Sequence, residues 1–192
     1  MPSHTCDSRL SASSPSSPTI RSIPCEAAAT LISALLRPRI LAARRYRRGW
    51  RGWRDGHLGH TPEALLPFRT EESFRTRAPR RIADTTVATV DGEIAGFIMV
   101  VGDEVEQVYV ARPHRGTGLA DRLLAEAVRQ VRSNGHPEAW LAVATGNARA
   151  RRFYERAGWT DTGPFDYPAR TPAGLIPVPC HRYVKSAEPP GT

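Results

Sequence analysis

Lysine is nearly missing from this chain: Lys185 stands alone beside 26 arginines. With the abundant alanine and proline, that bias fits a GC-rich coding sequence better than a need for guanidinium groups. No function is therefore argued from arginine chemistry alone. Cysteine is also scarce. Cys6, Cys25 and Cys180 are odd in number and far apart, which excludes a disulfide framework and a cysteine-rich zinc site and suits a reducing cytosol. No apolar run approaches the roughly 18 residues of a membrane span. The Ser/Pro-rich stretch 1–18 lacks the apolar core of a signal peptide and reads as a disordered tail. These absences lead us to expect a cytoplasmic protein with no membrane partner and no metal.

Charge is present but uneven. The net charge is +8, and residues 1–54 account for all of it with ten Arg and two acids. The remaining residues hold 17 basic and 17 acidic side chains, so the core is neutral. At 192 residues the chain is long enough for one domain with a sizeable core.

The stretch 104–130 organises the rest. Residues 105–110, Val-Glu-Gln-Val-Tyr-Val, alternate and are rich in β-branched side chains, which predicts a strand that Pro113 stops. Arg115, Gly116, Thr117, Gly118, Leu119 and Ala120 come next. Leu119, Leu123, Leu124, Ala127, Val128 and Val131 then recur at helical spacing. A strand thus passes through a glycine turn into a helix. Small residues at 116, 118 and 120 leave the backbone N–H groups open to approach, and the helix start adds partial positive charge, so a pyrophosphate fits. The third Gly of G-x-G-x-x-G is missing and no Gly-Lys-Ser/Thr follows, so this is neither a dinucleotide fingerprint nor a Walker motif. A tight turn with no ligand would have the same local sequence.

Around this stretch, Asp91-Gly92 between two β-rich runs (85–90 and 93–101) predicts a type I′ hairpin, and Gly102-Asp103 leads into the 104–110 strand. The helix 118–132 stops at Gly135 and Pro137. Residues 139–145 are almost continuously apolar. They read as a central strand buried on both faces and parallel to 105–110 through a right-handed crossover. Asn147 caps a helix to Arg156, and Gly158 ends it. Strands are expected at 159–167 and 179–185, with an irregular proline-rich loop between them. Upstream lie a short strand at 19–23, a helix over 24–36 that Pro38 ends, a second helical piece over 39–48, and a short helix capped by Thr70.

Two motifs carry a resemblance. Arg115-x-x-Gly118-x-Ala120 after the Val-Tyr-Val strand resembles the acetyl-CoA-binding motif of the GNAT N-acetyltransferases. Asn147-x-x-Ala150-x-x-Phe153-Tyr154-x-x-x-Gly158-Trp159 is similar to that family's second signature helix. The likeness is specific over about 85–161 and weak before Arg69. It implies an α/β (α+β) GNAT fold: a mixed, mostly antiparallel sheet with a splayed parallel strand pair, flanked by helices. The implied domain covers 19–185, with a substrate-side region at 19–80 and an acetyl-CoA-binding core at 85–185. A flexible end is expected at 186–192.

The resemblance implies acetyl-CoA as cosubstrate and an amine as acceptor. Backbone at Arg115, Gly116, Thr117, Gly118, Leu119 and Ala120 would take the phosphates. The strand Val108, Tyr109 and Val110 would take the pantetheine, with the Val108 N–H as oxyanion donor, and Asn147 would bond near the cofactor. Tyr154 would be the general acid for the thiolate. Glu104 or Glu106 would be the base, each equally readable as a solubilising edge residue. Both acids are expected on the same strand face as Val108 and Val110.

Three features leave alternatives open. The six Arg of 44–54, with Tyr46, Trp50 and Trp53, could bind nucleic acid, form a solvated helix face with the rings packed beneath, or select the acceptor. A solvated face is favoured. His57 and His60 read as a surface loop, because Gly56 and Gly59 interrupt them and no third ligand is near. The chain could also be an acyl-CoA-binding module without transfer, and a homodimer is left open.

Overall fold

The computed structural model describes residues 21–24, 50 and 52–188, the first four as backbone only. The tail 1–18 and the helices expected at 24–36 and 39–48 lie outside the described residues.

Seven strands form one sheet in the order β1-β2-β3-β4-β5-β7-β6. They are β1 (Arg21–Pro24), β2 (Thr85–Val90), β3 (Glu93–Val101), β4 (Glu104–Val110), β5 (Glu138–Ala144), β6 (Thr160–Thr171) and β7 (Gly174–Ser186). β1 pairs parallel to β2, and β2, β3 and β4 are antiparallel neighbours. The β2–β3 turn has both Asp91 and Gly92 at positive φ, as a type I′ turn requires. One sheet face carries the helices α3 (Leu119–Ser133) and α4 (Ala148–Arg156). The other is covered by α1 (52–57), a 3-10 turn (Glu63–Phe68) and α2 (Glu71–Arg77).

The main core forms where the periodicity of α3 meets the sheet. Leu119, Leu123, Leu124, Ala127 and Val131 bury against Ile98, Val100, Val105, Leu141 and Val143. α3 lies unusually close to β3 because of Gly96. A Cβ there would sit 2.7 Å from the Tyr109 carbonyl and 2.8 Å from Leu123 Cδ1.

The end of the chain differs from expectation. The proline-rich segment is regular, and β6 and β7 form one long hairpin that turns between Thr171 and Gly174. Prolines are tolerated there for a positional reason. β5 pairs with β7 from Cys180 onward, and its ladder stops at Pro179, whose carbonyl accepts from the Thr145 N–H at 3.0 Å but which has no N–H to return; Pro177 lies in the two-stranded extension beyond. Pro164 and Pro168 lie on the edge strand β6. β5 itself is buried chiefly through Ala139, Leu141 and Val143. On its other face, Trp140 is covered by the Arg182 guanidinium 4.2 Å from the ring centre.

Candidate active site

β4 and β5 part company almost at once. Their only register pair is Glu104↔Trp140, supported by the Trp140 N–H donating to the Asp103 carbonyl at 3.0 Å. Beyond that point β4 bonds only to β3, and a wedge opens between the two parallel strands. The Ala111 N–H donates to the Ala95 carbonyl at 2.8 Å, which fixes the parity of β4: residues 109 and 111 direct their backbone groups to β3. Val108 and Val110 therefore direct theirs into the wedge. The Val110 carbonyl accepts from Arg115 Nε at 3.2 Å.

A β-bulge lies upstream, where the β3–β4 register shifts between Met99 and Val100. Val105 and Val108 are three residues apart, yet both pack on the α3 side. The bulge thus overturns the expected face assignment. Glu104 and Glu106 share a face with each other, but it is the face opposite the Val108 and Val110 side chains, toward the α1–α2 cover.

At the wide end of the wedge stands the glycine turn. Gly116 and Gly118 both have positive φ, so the conformation favours glycine. The first bond of α3 runs from the Arg122 N–H to the Gly118 carbonyl at 3.2 Å, and no side chain caps the helix. The amides of 119–121 are thus left without an intrahelical partner. Gly116, Gly118, Ala120, Arg115, Val108 and Val110 border a groove of about 500 Å³. Two expected members contribute no side chain to it: Thr117 turns its hydroxyl back to the His114 carbonyl at 2.8 Å, and Leu119 is buried in the core. Arg115 also holds Asp55 of α1 at 2.8 Å. Asn147 both caps α4 by accepting from the Ala150 N–H at 3.0 Å and donates to the Gly56 carbonyl at 2.7 Å, which ties α1 to the groove wall. Open amides, a helix start and a parted strand edge together fit a pyrophosphate joined to an amide-bearing arm.

On the opposite face, a cavity of about 250 Å³ lies between the sheet and the cover. Trp53, His57, Arg69, Phe74 and Arg77 line it from above, and Glu104, Glu106, Tyr167 and Cys180 from the sheet. Burial pushes the Glu104 carboxyl above its ordinary range, an effect that the Tyr167 hydroxyl bonding to it partly offsets. Glu106 is tied to Arg81 at 2.9 Å. Burial also raises the Cys180 thiol to about 11. His57 closes α1 and is not in a surface loop. It stacks on Trp53 with ring centres 5.5 Å apart, its Nδ1 lies 3.1 Å from the Trp53 carbonyl, and burial lowers its pKa. Trp50 and Trp53 stack on each other at 6.2 Å and pack on Phe74, so their faces are covered.

Groove and cavity meet at Gly52, Val108, Tyr109 and Tyr154, which line both. The Tyr109 ring stacks on Phe97 at 5.4 Å, and its backbone serves β3, so only its side chain reaches the junction. Tyr154 is held by Phe153, Tyr183 and Trp159 at 5.2, 6.0 and 6.2 Å between ring centres. Burial pushes its hydroxyl up to about 12. The lining residues Trp53, His57, Arg69, Phe74, Arg77 and Tyr167 have no spacing signature; only the fold brings them together.

The profile of the acetyltransferase (GNAT) family matches residues 46–159. An uncharacterized N-acetyltransferase of Mycobacterium tuberculosis is 34% identical over 90 residues, which is 44% of this chain and 56% of that protein. The chain thus spans about half the length of that curated relative. Among solved structures, apo-form YjaB of Escherichia coli matches with a TM-score of 0.58 at 19% identity, over 76% of this chain and 91% of that one. YncA of Salmonella typhimurium, solved with its cofactor acetyl-CoA, matches with a TM-score of 0.54 at 15% identity, over 80% and 92%. The two structures share the mixed sheet with its flanking helices. No helix among the described residues is long and apolar enough to cross a membrane. With the family profile covering more than half of its length, this chain belongs to the GNAT acetyltransferase family.

Proposed function

We propose that this protein transfers the acetyl group of acetyl-CoA to a primary amine, by direct attack within a ternary complex in the cytoplasm. One observation carries the reading: Tyr154 stands where a groove suited to the thioester carrier meets a separate cavity suited to an acceptor. A residue at that junction can reach a sulfur arriving from one side while an amine arrives from the other.

The amides of the 116–120 turn and the start of α3 hold the pyrophosphate. The Val108 and Val110 backbone binds the pantetheine amides along the parted edge of β4. Glu104 takes the proton from the incoming ammonium. Its raised pKa suits that task, and Tyr167 orients it. Glu106, already paired with Arg81, is the lesser candidate. The amine nitrogen then attacks the thioester carbon, and the Val108 N–H stabilises the oxygen that becomes negative. The C–S bond breaks, the departing sulfur takes the Tyr154 proton, and the second proton shed by the attacking nitrogen restores the Tyr154 hydroxyl. Burial keeps that hydroxyl protonated at neutral pH. Small side chains and a tight turn at 116–118 keep the phosphate end open, and Asn147 fixes the groove wall by joining α4 to α1.

Free CoA release, followed with a thiol reagent against a panel of amines, tests the reading. Release that depends on an amine and is accompanied by its N-acetyl product supports it. Acetyl-CoA binding with no acetylation of any amine would point to a binding module without transfer.

A further inference from the structure

The acceptor-side cavity is electrically two-ended. Glu104 rises into it from β4 on the sheet side. Arg69, after the 3-10 turn, and Arg77, at the end of α2, enter from the cover. Among the described residues neither guanidinium has a carboxylate within ion-pair distance, although Arg81 nearby holds both Asp84 and Glu106. Arg69 is half-buried and gives two N–H groups to a single carbonyl, that of Arg170, at 3.3 Å. Arg77 lies over the Phe74 ring at 4.9 Å, its Nε bonded to the Ser73 carbonyl at 3.0 Å. Both heads are therefore positioned by neutral groups. Arg77 and Tyr167 bear on Arg69, and Arg81 and Glu106 bear on Arg77. Arg69 is half-buried and Arg77 exposed, and the carboxylate that bears on Arg77, Glu106, is already held by Arg81, so the two guanidinium groups keep charge and donors for a bound anion.

We propose that the acceptor carries an anionic group, carboxylate or phosphate, remote from its amine, and that Arg69 and Arg77 bind this group while the amine lies toward Glu104. The apolar lining beside the two arginines, Phe74 and Trp53 among it, suits an aliphatic or aromatic body. This rests on the acetyltransferase reading above and narrows its substrate class.

The test compares matched amines on the full chain: 4-(aminomethyl)benzoate against 4-methylbenzylamine, 6-aminohexanoate against hexylamine, and O-phosphoethanolamine against ethanolamine. The anionic member of at least one pair is expected to show kcat/KM higher by about tenfold or more. The carboxylate and phosphate arms tell which anion is preferred. In an Arg69→Gln/Arg77→Gln double variant the preference ratio should fall to about unity, whereas Arg77→Lys should keep much of it. The thermal shift given by acetyl-CoA checks that each variant is folded. Neutral amines used as well as their anionic partners, or a preference that survives in the folded double variant, would overturn this inference and leave the transferase reading standing. A protein that binds acetyl-CoA and acetylates no member of the panel would overturn both.

Discussion

Replacing Tyr154 by Phe removes one oxygen from the junction of groove and cavity. Among the described residues that hydroxyl has no hydrogen-bond partner, and the ring is gripped by Phe153, Trp159 and Tyr183. The substitution keeps those ring contacts and removes a polar atom that burial disfavours, so stability should be unchanged or slightly raised. Catalysis should fall steeply. Loss of a positioned general acid costs about 10²–10⁴-fold, or roughly 2.7–5.4 kcal/mol of transition-state stabilisation. Because the groove is built from backbone amides, the KM for acetyl-CoA should change little, and the loss should fall on kcat. Steady-state CoA release together with a thermal melt reads both quantities. A Tyr154→Phe protein that melts normally and turns over within about threefold of the parent would refute the acid assignment.

Three further outcomes follow from the same geometry. Asn147→Ala should lower stability by about 1 kcal/mol, since the α4 cap is lost, and weaken acetyl-CoA binding as α1 loses its tie at Gly56; denaturant melts and calorimetry check this. Glu104→Gln should remove the acidic limb of the kcat/KM profile, a limb expected above the usual carboxylate range because burial raises this group. The stability sign runs the other way. A raised carboxyl stabilises the fold fully below its unfolded pKa and loses that contribution as pH rises through the folded value, so Glu104→Gln should melt higher than the parent at pH 7. Gly52→Ala would place a Cβ into the Tyr109 ring and should cost about 1–3 kcal/mol by lifting α1 from β4, measurable as a lower melting temperature.

Much of the fold was legible because local signals and tertiary placement agree. The Asp91-Gly92 turn, the apolar period of α3, and the caps at Asn147 and Gly158 all specify what forms. The β6–β7 hairpin was hidden by its prolines. Only the place where β5 ends shows that its ladder stops at Pro179 and that Pro177 has no ladder to break on that side. The bulge in β4 was invisible for a different reason. Nothing in Glu-Val-Glu-Gln-Val-Tyr-Val marks an extra residue, so simple alternation put the two glutamates on the wrong side of the valines. The amide-lined turn of the groove could be read from one contiguous stretch of chain, although α1 and α4 supply the rest of its lining. The cavity under the cover could not, because it joins α1, α2, β4, β6 and β7. Tyr167 in particular meets Glu104 across 63 positions of sequence, a distance over which no spacing rule operates.

Titration calorimetry of the full chain with acetyl-CoA, run beside a Gly118→Glu variant, bears most directly on the central claim. Residue 118 holds φ +78° at the mouth of the amide-lined turn, with no other atom within 4 Å of where its Cβ would lie. The parent should bind with measurable heat. The variant, which sets a carboxylate in the amide-lined turn proposed to hold the phosphates, should lose affinity by about tenfold or more while keeping its far-ultraviolet circular dichroism. A parent that gives no heat, or a folded variant that binds as tightly as the parent, would contradict the account.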